Sequence, residues 1–62
     1  MTHVDTMNNL LEFAIASGMT EVTISLEQVV GSWVANIVSK GFDSRYQLIG
    51  KKWYHISTKA ID

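Results

Sequence analysis

All five of the chain's lysines and arginines fall in its second half, as Lys40, Arg45, Lys51, Lys52 and Lys59. Residues 1–31 hold Asp5, Glu12, Glu21 and Glu27 with no lysine or arginine, for a charge of −4, whereas residues 32–62 carry +3. A split of this kind points to a polyanion as a partner, because one end of the molecule attracts phosphates while the other repels them. Short polar side chains accompany the bases at Ser32, Asn36 and Ser39. An asparagine amide can bond an adenine edge through two hydrogen bonds, and a lysine can meet a phosphate or a guanine. Ser32, Asn36, Ser39 and Lys40 therefore form a candidate base-reading set, and Arg45, Lys51 and Lys52 a candidate phosphate-contacting set.

Other chemistries have less to work with. There is no cysteine, so neither a disulfide nor a thiolate zinc site is available. His3 and His55 are far apart in sequence, and no third ligand stands at a useful spacing from either, so no metal or other cofactor is expected. Serine, histidine and aspartate occur without the strand-turn-helix context that activates a nucleophile, and no glycine-rich phosphate loop is present. A 62-residue domain also rarely builds a concave pocket from several elements. The expectation is a protein that is not an enzyme.

The positioning elements must come from a very small core. A chain of this size buries only about 60% of the surface its unfolded form exposes. With 47% hydrophobic and 18% charged residues it is nonetheless too apolar to stay disordered. No apolar run approaches the ~18 residues of a membrane span, and no secretory leader is evident. One domain over residues 1–62, with 1–5 as a tail, in the cytoplasm (that of a host, if phage-encoded), is the expected organisation.

Met7, Leu10, Leu11, Ala14 and Ile15 recur at helical spacing, with Asp5 or Thr6 as cap and Gly18 as terminator. The spacing predicts a helix over about 6–17. Residues 21–25 alternate with β-branched side chains and predict a short strand. Leu26, Val29, Val30, Trp33, Val34, Ile37 and Val38 then form a second helical stripe, opened by the capping box Ser25-Leu26-Glu27-Gln28 and ending at Gly41. Gly31-Ser32 breaks the stripe, so it reads as two helices, 26–30 and 32–40, or as one. Residues 45–49 and 53–57 are aromatic and β-branched runs around Gly50-Lys51-Lys52, a β-hairpin. A two-residue turn would pair Leu48 with Trp53. A three-residue loop instead gathers Tyr46, Leu48, Tyr54 and Ile56 on one face, and that register is preferred because it makes an apolar side for the helices. It leaves Ile49, Trp53 and His55 on the other face.

The order helix, strand, two helices, hairpin resembles the winged helix-turn-helix family, an α+β fold of order α-β-α-α-β-β with a C-terminal hairpin wing. The resemblance is carried by the run from Gly31 to Phe42 and by Gly50-Lys51-Lys52-Trp53-Tyr54-His55-Ile56-Ser57-Thr58-Lys59. More loosely, the Ser-x-Val-Ala-x-x-x-Ser-basic-Gly run is similar to that of small podophage inhibitors of a host stationary-phase sigma factor. The first resemblance implies a transcription-regulating protein that binds double-stranded DNA through a recognition helix, 32–40, and a basic wing, 50–52. The second implies a partner in host RNA polymerase or a sigma factor. Helix two would then be only five residues long, and the recognition helix would expose Lys40 as its single base.

Two functional expectations follow. DNA contact would use Ser32, Asn36, Ser39, Lys40, Arg45, Lys51 and Lys52. A protein partner would use Trp53, Ile49 and His55, since tryptophan is enriched where interfaces concentrate their energy. A homodimer burying Trp53 and Ile49 is a third arrangement. The expected core is Leu10, Leu11, Ala14, Ile15, Val30, Val34, Ile37, Val38, Leu48 and Ile56.

Overall fold

In a computed structural model that describes residues 2–61, one helix lies on a four-stranded antiparallel sheet. The elements are α1 (His3–Ala16), β1 (Thr23–Val29), β2 (Ser32–Ser39), β3 (Phe42–Ile49) and β4 (Lys52–Ala60). The strands form a meander in the order β1-β2-β3-β4. The winged helix-turn-helix expectation is therefore wrong, because the described residues hold a single helix and four strands rather than the order α-β-α-α-β-β.

Helix α1 begins earlier than its apolar stripe suggests. Thr2 is the N-cap, and its hydroxyl accepts from the Asp5 amide at 3.1 Å. At the other end Gly18 takes φ +75, and the amides of Gly18 and Met19 close back onto the carbonyls of Ile15 and Ala14. This pair of bonds satisfies carbonyls that the helix end would otherwise leave open.

The segment from Leu26 to Lys40 is a hairpin, not helices. Val30 and Gly31 both have positive φ, at 50 and 79, as do Lys40 and Gly41, at 53 and 80. Two successive residues of this kind make the type I′ turn, whose twist matches that of the flanking strands. Glycine thus ends strands here, and the Ser25 capping box has no helix to cap. Strands win because Val29, Val34, Ile37 and Val38 are β-branched, and β2 gains hydrogen-bonded neighbours on both sides.

The β3–β4 hairpin closes with the two-residue turn. Ile49 pairs with Lys52 and Leu48 with Trp53, so the preferred three-residue register is overturned. Trp53 consequently faces the helix at 9% exposure, and its indole N–H donates to Asn9 Oδ1 at 2.9 Å. Farther along, Tyr46 pairs with His55 but Arg45 with Ser57, which leaves Ile56 as a bulge residue without a partner on β3.

Between α1 and the sheet lie Leu10, Ala14, Ala35, Ile37, Tyr46 and Trp53, with Phe13, Met19, Val22, Ile24, Leu26, Trp33 and Leu48 around them. Four expected core residues are exposed instead: Leu11, Ile15, Val30 and Ile56. Val30 is fully exposed because it sits at the tip of a turn. Leu11 and Ile15 lie on the outer side of α1, where the described residues supply no second helix to cover them. Val34 is buried but stands outside the helix-side cluster, on the opposite face of the sheet.

Candidate functional site

The uncovered face of the sheet is built by the alternate residues of each strand. Its cross-strand rows run Thr23-Val38-Asp43-Lys59, Ser25-Asn36-Arg45-Ser57 and Glu27-Val34-Gln47-Tyr54. Asn36 and Arg45, expected on a helix and on a hairpin strand, are direct cross-strand neighbours here. They are joined by a hydrogen-bond chain with two carboxylates. Arg45 donates from Nη2 to Glu27 Oε1 at 3.3 Å and from Nη1 to Asn36 Oδ1 at 3.1 Å. Asn36 donates onward from Nδ2 to Asp43 Oδ1 at 3.0 Å. Both polar ends of the Asn36 amide are therefore engaged, one by Arg45 and the other by Asp43, while Arg45 itself pairs with Glu27. An adenine edge or a phosphate would have to displace these partners.

The remaining candidate DNA contacts are dispersed. Ser39 donates from Oγ to the Thr20 carbonyl at 2.8 Å, and Ser32 is half-buried at the start of β2. Lys40 occupies the β2–β3 turn, whereas Lys51 and Lys52 sit at the β3–β4 turn. These turns lie at opposite ends of β3, roughly 25 Å apart at about 3.3 Å per residue. No recognition helix or wing joins them.

Of the candidate protein contacts, Ile49 is exposed on the uncovered face and His55 is exposed on β4. The His55 ring meets Tyr46 edge-on at 5.4 Å, and its Nε2 shares a hydrogen bond with Thr58 Oγ1. Trp53 is under α1, not on the surface.

The feature that sequence reasoning missed is the outer edge of β4. The strand is nine residues long, ends the sheet, and is exposed at every position except Trp53. Tyr54 and Ile56 are both about half exposed, at 50% and 51%. Lys52 and Lys59 stand near its two ends. The signal was present in the spacing of Gly31, Gly41 and Gly50, because turn residues every nine to ten positions mark a run of short strands.

The surface carries two shallow grooves, the first of them beside this edge. One of about 430 Å³ lies between α1 and the β3–β4 turn, lined by Asn9, Glu12, Phe13, Lys51, Lys52 and Trp53 among others. The other, about 580 Å³, lies between the first and third turns, beside Trp33 and Leu48. Among the described residues no three of histidine, cysteine, aspartate or glutamate come together as a metal site would need, and no helix is long and apolar enough to cross a membrane. Comparison with protein-family models, with curated proteins and with solved structures finds no match for this chain.

Proposed function

We propose that the chain is a non-catalytic protein-binding module that captures an extended segment of its partner along β4. The unpartnered outer edge of β4 carries this reading. An edge strand offers a row of free backbone donors and acceptors, and an added strand satisfies them while side chains to either side supply selectivity. Tyr54 and Ile56 give that row apolar anchors, and Lys52 and Lys59 favour an acidic segment. DNA contact ranks second, since Asn36 and Arg45 are held by carboxylates and the lysines are far apart.

The deciding experiment is capture from a host lysate by the purified full chain, with and without nuclease, alongside duplex titration at low salt. The expected result is a nuclease-resistant partner, with RNA polymerase and its sigma factors probed directly. Tyr54→Ala with Ile56→Ala should reduce its recovery by roughly tenfold or more. Binding should also slow hydrogen exchange of β4 amides. A saturable duplex shift that is lost in Lys51→Ala with Lys52→Ala, together with no nuclease-resistant partner, would overturn the reading in favour of DNA.

A further inference from the structure

The two edges of the sheet carry opposite charge. On β4, Lys52 and Lys59 both belong to the uncovered face, paired with Ile49 and Asp43 respectively, and the strand has no acidic residue. On the β1 side, Glu27 belongs to the same face, paired with Val34, and Glu21 lies two residues before the strand begins.

Their spacings also agree once the bulge is counted. Lys52 and Lys59 are seven apart in sequence, but their partners Ile49 and Asp43 are six apart, because Ile56 is the extra residue. A regular strand beside β4 would therefore cover the same length with six steps, which run from Glu27 along β1 to its start at Thr23 and on to the bend at Glu21, where φ is 52.

We propose that the chain self-associates head to tail, the β4 edge of one copy receiving the β1 edge of the next in antiparallel register. Lys52 then stands opposite Glu27 of the second copy, and Lys59 comes beside the bend at its Glu21, just before β1. Between them, Trp53 meets Leu26, Tyr54 meets Ser25, His55 meets Ile24 and Ser57 meets Thr23. In each pair from Lys52–Glu27 to Ser57–Thr23 both residues lie on the same face of their sheets, so both copies keep their helices on one side. A one-residue slip would break that agreement throughout.

The symmetric alternatives are opposed by charge. An antiparallel β4–β4 pair brings the Lys52 end of each copy to the Lys59 end of the other, and a β1–β1 pair does the same with Glu21 and Glu27. Like charges across strands are unfavourable. The head-to-tail contact uses two different surfaces, so it leaves a free β4 at one end and a free β1 at the other. It grows into a ladder or closes into a ring instead of stopping at two copies. This inference shares with the proposed function the reading of β4 as the binding edge, but its readout needs no other protein.

Sedimentation of the purified full chain over a wide concentration range, at low and high salt, tests it. The expected result is an average mass that climbs beyond the dimer with concentration and falls back with salt. Glu21→Lys and Lys59→Glu should each raise the concentration of half-association by roughly threefold to tenfold. Carrying both changes in one chain should restore it, because the reversed edges again attract. Glu21 is chosen over Glu27 so that the bond to Arg45 stays intact. A monomer at every concentration would overturn the proposal and make the lysines guards against edge pairing. A dimer ceiling would also overturn it, as would a double variant that melts like the parent yet does not recover. A ladder without any captured lysate partner would sustain self-association and remove only the external partner.

Discussion

The covered and uncovered faces of the sheet are held together by different forces. On the covered face, Leu10, Ala35 and Ile37 are almost wholly removed from water, and among the described residues no buried side-chain nitrogen or oxygen lacks a hydrogen-bond partner. Thr6, also fully buried, donates its hydroxyl to the Thr2 carbonyl at 2.8 Å. On the uncovered face, Val34 is the single buried apolar residue among those described, and the centre is the chain Glu27–Arg45–Asn36–Asp43. The Arg45 and Glu27 side chains remain 38% and 58% exposed, so water screens much of their attraction. Burial stabilises the first face, whereas the second mainly fixes which side chains stand beside one another. The side that holds the fold together is thus separate from the side and edge left free for contacts.

Neighbouring residues on β2 provide the strongest test of this division. Ile37→Ala removes a side chain from the covered face and should cost roughly 2–5 kcal/mol, enough to threaten folding in so small a domain. Val38→Ala, one residue on and half-buried on the other face, should cost about 1 kcal/mol. Equal losses in denaturant melts would show that the two faces are not distinct in the way described.

The division also depends on register, because slipping a strand by one residue would exchange its faces. The Val30–Gly31 turn sets that register for β1 and β2, yet Val30 is a β-branched residue at φ 50. That conformation is strained for valine and easy for asparagine. Val30→Asn should therefore raise stability by about 1 kcal/mol with no change in fold. A helical 26–40 segment would gain nothing from it, so a lower melting temperature would break the hairpin account.

The polar chain sets the smallest effects. Asn36→Ala takes an acceptor from Arg45 and a donor from Asp43 and should cost about 1 kcal/mol. Glu27→Gln, at an exposed pair, should cost a few tenths of a kcal/mol and less at high salt. Thermal melts at two salt concentrations would measure both.

Some of the fold could be read from local pattern. The helical stripe through Leu10 and Ala14, its end at Gly18, and a hairpin around Gly50 all depend on neighbours in sequence. The segment from Leu26 to Val38 did not yield to the same reasoning. Its apolar residues satisfy a helical stripe, but Trp33, Val34, Ala35, Ile37 and Val38 also populate both faces of a strand, so periodicity cannot separate the two. The β-branched content and the evenly spaced glycines were the better guides. The candidate site was less legible still. Asn36, Asp43 and Arg45 were all visible as polar residues, but their adjacency is a product of strand pairing, as is the free edge of β4.

By itself, the sequence determined composition, charge polarity, the absence of thiol chemistry, the first helix and the places where the chain can turn. Those properties depend on single residues or on neighbours within a few positions. Tertiary structure alone decided that residues 26–40 are strands, that Trp53 lies under the helix and that Arg45 meets Glu27 and Asn36. It also decided that β4 ends the sheet. Each of these follows from which strand lies beside which, and pairing is a long-range choice made by the burial of one whole face at once.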